Sequence, residues 1–144
     1  MDEIKFPAIC IFDDMIEVFT NTDIEFTCTL LSYKRGSIKD IPIYDSEGTL
    51  FKSIEAIPCR KIHFFERVFC FLWTPFIRVK LKFRKMKTTT SVDKLRSSIK
   101  KIIRMDDDVY CQFIDKDDIF KMIDTSQSVE ELIVSVKNIL EVEE

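Results

Sequence analysis

The stretch FIRVKLKFRK, Phe76–Lys85, decides the fold, because apolar and polar residues alternate along it without interruption. Alternate side chains of an extended strand point to opposite faces, so one face of this segment is apolar and the other is basic. The apolar set is Ile77, Val79, Leu81 and Phe83. The opposite set is Phe76, Arg78, Lys80, Lys82 and Arg84. The pattern predicts a half-buried strand whose cations project into solvent.

The residues before this strand favour further strands. Phe6–Phe12 and Met15–Phe19 predict a hairpin or a bent strand, and Ile41–Tyr44 and Thr49–Ile57 predict a hairpin. The acidic pair Asp13-Asp14 separates the first two runs, and the turn Asp45–Gly48 separates the second two. Lys61–Leu72 alternates imperfectly, and we predict another strand there, interrupted by Thr74-Pro75.

Helices are predicted mainly after the basic strand. The predicted spans are 22–34, 91–104, 115–123 and 128–140. The last three begin at Ser91, Asp115 and Ser128, residue types that cap helix N-termini. The first span depends on a capping-box pattern of Thr22 with Glu25. A strand is also predicted over Val109–Ile114.

Strands followed by helices indicate the α+β class, with a mostly antiparallel sheet of about five or six strands. We expect about three or four helices packed on this sheet, concentrated in the C-terminal third. The chain has 144 residues, 2 Gly, 4 Pro and no linker-like tract, which predicts a single domain over residues 1–144.

Cysteine usage and hydropathy predict a cytoplasmic protein. The chain has 5 cysteines, an odd number, and none are spaced C-x-x-C, as is typical of a reducing compartment. The N-terminus Met1–Lys5 lacks the basic start of a secretory signal. The longest apolar run, Val68–Ile77, is about half the length that spans a bilayer. We therefore expect no membrane partner.

Charge is divided into three blocks along the chain. Residues 1–59 carry 5 basic and 11 acidic side chains, residues 60–104 carry 14 and 2, and residues 105–144 carry 3 and 12. The basic block could be a docking surface for an anionic partner. Alternatively, it packs beside the acidic flanks and is neutralised within the fold.

No pattern of residues indicates an enzyme. Asp13 and Asp14 would need a following helix and a later phosphoacceptor, such as Asp45, to form a magnesium-dependent site. The chain has 1 His, His63, and its pairing with Cys59 or Cys70 as a nucleophilic site stays open. The acidic clusters lack calcium-loop spacing, and the isolated glycines exclude a phosphate loop. We predict no catalytic residue, no cofactor and no metal.

The partner-binding candidates lie on the basic strand and in an acidic loop. They are Arg78, Lys80, Lys82, Arg84, Asp106, Asp107 and Asp108. The cations on one strand face repeat about every 6.5–7 Å, which suits nucleic acid as well as protein. The pI of about 5.3 counts against a dedicated nucleic-acid binder.

Three features carry a family resemblance: the N-terminal run FPAICIF, the hairpin segment YDSEGTL at residues 44–50, and the helix start SVEEL at residues 128–132. In this layout the chain resembles small cytoplasmic immunity proteins of bacterial polymorphic-toxin systems. The resemblance implies a non-enzymatic inhibitor that binds a toxin domain tightly, as a monomer or homodimer. Nucleic-acid binding through the basic strand and an unrecognised small enzyme are the alternatives.

Overall fold

The computed structural model describes residues 3–12, 15–21, 24–69, 72 and 75–141. The described residues form one six-stranded sheet and six helices, which confirms the α+β class. The strands are β1 (Ala8–Phe12), β2 (Met15–Phe19), β3 (Glu25–Thr29), β4 (Pro42–Tyr44), β5 (Thr49–Pro58) and β6 (Phe76–Thr89). The helices are α1 (Leu30–Arg35), α2 (Phe64–Phe69), α3 (Val92–Met105), α4 (Asp107–Tyr110), α5 (Lys116–Asp124) and α6 (Val129–Glu141).

The sheet is antiparallel, with the strand order β2-β1-β4-β5-β6-β3. Both predicted hairpins, β1–β2 and β4–β5, are confirmed. The predicted basic strand is confirmed as β6, which pairs with β5 over Val79–Thr89 and with β3 over Phe76–Lys80. Its apolar face is buried, with Ile77 2%, Val79 0% and Leu81 6% exposed.

Two apolar clusters lie on opposite faces of this sheet. The first contains the buried stripes of α3, α5 and α6 and reaches the sheet at Ile9 and Ile16. The second lies on the other face, where the apolar side of β6 packs with Cys10, Phe26 and Phe51. Alternate residues of β1 enter different clusters, because successive strand side chains point to opposite faces. The sheet therefore has a helix-covered region near β1 and β2, while the basic face of β6 is exposed.

The helix predicted over 22–34 is wrong in its first half. Residues 25–29 form β3, and the helix α1 begins only at Leu30. The sequence of β3, EFTCT, is rich in residues that favour strands, and its pairing with β6 outweighs the predicted capping box. Thr22 lies outside the described residues; Thr29 is the observed cap, accepting a bond from the Ser32 N–H at 3.1 Å.

Two predicted strands are also wrong. The stretch 61–72 contains α2 in place of a strand, because Phe64-Phe65 breaks the two-residue period and no neighbouring strand pairs there. The stretch 109–114 begins inside α4 and continues as turns. The additional short helices α2 and α4 account for six helices where three or four were expected.

The β4–β5 turn is held by a buried carboxylate. Asp45 is 2% exposed, and its Oδ1 accepts the N–H groups of Glu47 at 3.0 Å and Thr49 at 2.9 Å. Gly48 has a φ of 82°, and its carbonyl accepts the Thr90 N–H at 2.8 Å. The turn is thereby tied to the residues that lead from β6 into α3.

Candidate protein-binding surface

The four predicted cations lie on the exposed face of β6, as the alternation requires. Arg78, Lys80, Lys82 and Arg84 are all exposed. Arg78 forms an ion pair with Glu25 of β3, and Lys82 lies 3.5 Å from Glu55 of β5. These acids come from the neighbouring strands, so the face is basic with two carboxylates interspersed. Exposed pairs of this kind contribute only about 0–1 kcal/mol and leave the cations accessible to a partner.

The charge blocks also interact elsewhere in the fold. Lys100 pairs with Asp124 from the acidic C-terminal block, and Arg96 pairs with Asp93 at 2.7 Å. The Nε of Arg96 also donates to the Ile123 carbonyl at the end of α5 at 3.2 Å. Part of the basic block is therefore neutralised within the fold, whereas the β6 face keeps an exposed excess of cations. Neutralisation within the fold thus applies to part of the block, and a docking role for the exposed β6 face stays a prediction.

The helix α2 exposes an aromatic cluster that sequence reasoning missed. Among its described residues, α2 buries none. We define the aromatic patch as Phe64, Phe65, Val68 and Phe69 of α2 together with Leu72 and Phe76. Phe64, Phe65, Leu72 and Phe76 are 73%, 72%, 74% and 71% exposed. Contiguous exposed apolar surface of this kind marks interaction sites more often than isolated exposed residues do.

Polar contacts and one apolar anchor fix α2 in place. Arg60 reaches Glu66 with two bonds, of 3.1 and 2.7 Å, across the start of the helix. Lys34 of α1 donates to the Arg67 carbonyl at 2.9 Å. Ile62, just before the helix, is buried in the second core cluster. The aromatic rings are thus presented from a held helix: Phe65 and Phe69 stack with centroids 6.4 Å apart.

The aromatic patch and the basic face share Phe76. This residue is the first of β6 and lies on the same strand face as Arg78 and Lys80. The strand start is fixed, because the Leu30 N–H donates to the Pro75 carbonyl at 2.9 Å. The basic face of β6 therefore begins with an exposed aromatic residue.

The acidic candidates lie elsewhere. Asp106 ends α3, and Asp107 and Asp108 open α4. Asp107 lies 3.5 Å from Lys116. The acidic candidates thus lie at the C-terminal end of α3, in the helical part of the fold, whereas the four cations lie on a strand of the sheet.

The enzymatic alternatives receive little support from side-chain geometry. Asp13, Asp14 and Cys70 lie outside the described residues. Asp45 serves the β4–β5 turn, and both Cys59 and His63 are exposed, with no hydrogen bond between them in the described part of the chain. Within that part, no three His, Cys, Asp or Glu residues cluster in a way that could hold a metal.

Three described thiols, none of them the candidate Cys59, are unlike a nucleophile. Burial raises the pKa of Cys10 to about 12, with Glu17 adding to the effect. Burial also raises the pKa of Cys28 and of Cys111. A nucleophilic cysteine needs the opposite shift, because the thiolate is the reactive form.

Comparison with protein families, with characterised proteins and with solved structures finds no match to this chain. The resemblance to immunity proteins therefore stays a prediction. Among the described helices, none combines the length and the apolar content needed to cross a membrane.

Proposed function

We propose that this chain is a non-enzymatic protein-binding module, of the kind that inhibits a partner as immunity proteins do. The observation that carries the proposal is the exposed aromatic patch, and the exposed basic face of β6, which begins at Phe76, supports it. Aromatic residues and arginine are enriched in protein interfaces and dominate their binding energy. The expected partner surface is an apolar centre beside acidic residues, which would complement both parts.

Two arguments favour a different protein as the partner over a second copy. In a two-fold symmetric dimer each surface faces its own equivalent, so the basic face of β6 would lie near another basic face. That arrangement places like charges together and opposes association. An acidic partner gains from the same charges.

A nucleic-acid partner is the second candidate, and the basic face is the observation in its favour. Glu25 and Glu55, which lie among the cations, weigh against it because they would repel a phosphate backbone. The aromatic patch of α2 would also be left partly unused by a ligand that follows the strand. Salt-dependent oligonucleotide binding that is lost in Arg78→Gln/Arg84→Gln would favour this candidate.

The proposed location is the cytoplasm. The four described cysteines, Cys10, Cys28, Cys59 and Cys111, are free thiols, which supports a reducing environment.

The test is a quantitative affinity capture from native lysate with three baits. They are the wild type, Phe65→Glu in the aromatic patch, and the control Val134→Glu on α6, where Val134 is 41% exposed. We expect a protein retained by the wild type and by the control but lost with Phe65→Glu. With that protein purified, Phe65→Glu should weaken binding about 30-fold or more, the loss typical of a central interface residue.

The inhibitor hypothesis requires more than capture. The purified partner should lose its own activity on stoichiometric addition of the wild type and of Val134→Glu, but not of Phe65→Glu. Recovery of the same proteins by all three baits would contradict the proposed surface. A partner whose activity is unchanged by bound wild type would contradict inhibition while keeping protein binding.

A further inference from the structure

A cavity of about 550 Å³ lies between α1, α2 and one edge of β5. The edge is open here, because β4 pairs only with Leu50–Lys52 of β5. Along residues 54–56 the strand therefore borders the cavity. The volume falls within the range of about 300–1,000 Å³ that is typical of small-molecule sites. No part of the proposed protein-binding function uses this space.

The interior of the cavity is apolar. Its apolar lining residues are Leu30, Tyr33, Ile38, Ile54, Ala56 and Ile62. Leu30 is 2% and Ile62 8% exposed, so the lining is continuous with the second core cluster. An apolar ligand body would displace water from this lining and gain roughly 25 cal/mol for each Å² that it covers.

A buried serine holds the wall formed by the loop between α1 and β4. The Ser53 hydroxyl accepts the Ile41 N–H at 2.9 Å and donates to the Ile38 carbonyl at 3.0 Å. The Ser53 carbonyl accepts the Asp40 N–H at 3.0 Å. Ser53 is 1% exposed, so these bonds are protected from water. The cavity wall is therefore fixed before any ligand arrives, which lowers the entropic cost of binding.

The charged residues at the cavity give it a positive bias. Lys34, Lys39 and Arg67 line it, against one acid, Glu55. The carboxylate of Glu55 lies 3.5 Å from Lys82, outside the cavity lining. In the described part of the chain, neither Lys34 nor Lys39 forms an ion pair. The Lys34 ammonium donates to the Arg67 carbonyl at 2.9 Å and keeps two further N–H donors, so Lys34 and Lys39 together supply cationic donors for an anionic head group.

We propose that this cavity binds a small anionic amphiphile, namely a carboxylate with a short aliphatic or aromatic body. The apolar lining takes the body, and Lys34 and Lys39 bind the head group. The charge selects against a neutral or cationic molecule of the same shape. The proposal is independent of the protein-binding surface, because the aromatic side chains of α2 do not line the cavity.

The test uses three probes with the same eight-carbon tail: nonanoate, octanol and octyltrimethylammonium, each below the concentration at which it forms micelles. Nonanoate is the matched anion, because its carboxylate follows an eight-carbon tail. Titration is followed by ¹H–¹⁵N NMR. We expect nonanoate to bind tightest and to shift the amide signals of Gly36, Ala56 and Ile62. The double variant Lys34→Gln/Lys39→Gln should weaken nonanoate binding about tenfold, and the matched control Lys94→Gln/Lys121→Gln should not.

Several outcomes would overturn the proposal. Equal affinity for the three probes would show that Lys34 and Lys39 do not discriminate between head groups of different charge. Shifts that avoid the cavity, or equal losses in both double variants, would show that binding occurs elsewhere. Because the probe comparison uses the wild type, it stands even if a variant fails to fold. Phe65→Glu should bind nonanoate as the wild type does, which separates this proposal from the protein-binding one.

Discussion

The helices α6 and α2 are both rich in apolar residues, yet they use them in opposite ways. In α6 the apolar residues recur at helical spacing, and five of its residues are buried, including Leu132 at 0% exposure. In α2 the apolar residues of FFERVF also fall on one side of the helix, as the i,i+4 pairs Phe64/Val68 and Phe65/Phe69, yet they face solvent. The comparison teaches that an apolar stripe does not by itself place a helix in a core, because the stripe also needs a packed neighbour to cover it. A stripe that the fold leaves uncovered is available to a partner.

The largest expected contrast is in stability. Leu132→Ala removes a fully buried side chain from the first core cluster and should lower the free energy of unfolding by about 2–5 kcal/mol. Phe65→Ala removes a larger side chain that is 72% exposed and should cost less than about 1 kcal/mol. Urea denaturation of both variants measures the difference. A cost for Phe65→Ala equal to that of Leu132→Ala would show that α2 is covered and that the aromatic patch does not exist in solution.

The two glycines sharpen the comparison at the level of the backbone. Gly48 lies on the packed side: an added Cβ would lie 2.6 Å from the Thr90 carbonyl oxygen and 3.5 Å from Val129 at the start of α6. Gly36 lies beside the cavity, where the nearest atom, at 3.9 Å, is the end of the flexible Lys39 side chain. Both have positive φ, so only the steric surroundings differ.

We therefore expect Gly36→Ala to cost about 1 kcal/mol, the conformational penalty alone. Gly48→Ala should cost roughly 2 kcal/mol or more, because the contact with a backbone carbonyl adds to that penalty. Thermal or urea unfolding of the two variants gives the comparison directly. Equal costs would mean that the β4–β5 turn moves freely away from the residues that precede α3.

The regular parts of this fold could be predicted from sequence, and the surface could be predicted only in part. The strict alternation of Phe76–Lys85 specified a strand and its exposed basic face, and the caps Ser91 and Ser128 specified helix starts. The β3 and α2 assignments failed because tertiary pairing or its absence outweighed local preference. The breakdown of the two-residue period at Phe64-Phe65 was the signal for the aromatic patch. The segment was interpreted as an imperfect strand, whereas it is a helix whose aromatic side chains are exposed.

The cavity lay beyond sequence reasoning for a different physical reason. Its cations, Lys34, Lys39 and Arg67, come from separate segments, and their convergence depends on the loop that Ser53 holds. Asp45 illustrates the same limit. Its carboxylate was weighed as a phosphoacceptor, but the fold buries it in a turn, where it accepts backbone N–H groups.

The smallest expected effects concern two carboxyl groups: Glu17, on the sheet beside the packed helices, and Glu66, on the exposed helix α2. Burial raises the pKa of Glu17 on β2, whereas the Arg60 guanidinium lowers the pKa of Glu66 on α2. Their contributions to stability therefore depend on pH with opposite sign. A carboxyl group whose pKa is raised on folding stabilises the folded state at pH values below its unfolded pKa of about 4.3. That stabilisation is lost as the pH rises through the folded pKa. A carboxyl group whose pKa is lowered on folding stabilises the folded state at pH values above its unfolded pKa. That stabilisation is lost as the pH falls through the folded pKa.

At pH 7 the ionised Glu17 carboxylate is therefore unfavourable in the folded protein, and Glu17→Gln should raise the melting temperature. Glu66→Gln removes a carboxylate that Arg60 stabilises, so it should lower the melting temperature slightly. The effect of Glu17→Gln should shrink as the pH falls through the folded pKa of Glu17, because the wild-type carboxyl is then protonated. The effect of Glu66→Gln should shrink only at lower pH, because the pKa of Glu66 lies below its ordinary value. Glu3→Gln, at an exposed position, is the control for the change in net charge. A fall in the melting temperature with Glu17→Gln at pH 7 would contradict this, because it would mean that the ionised Glu17 carboxylate has a stabilising partner. The packed side of the sheet would then stabilise a carboxylate, as α2 does for Glu66.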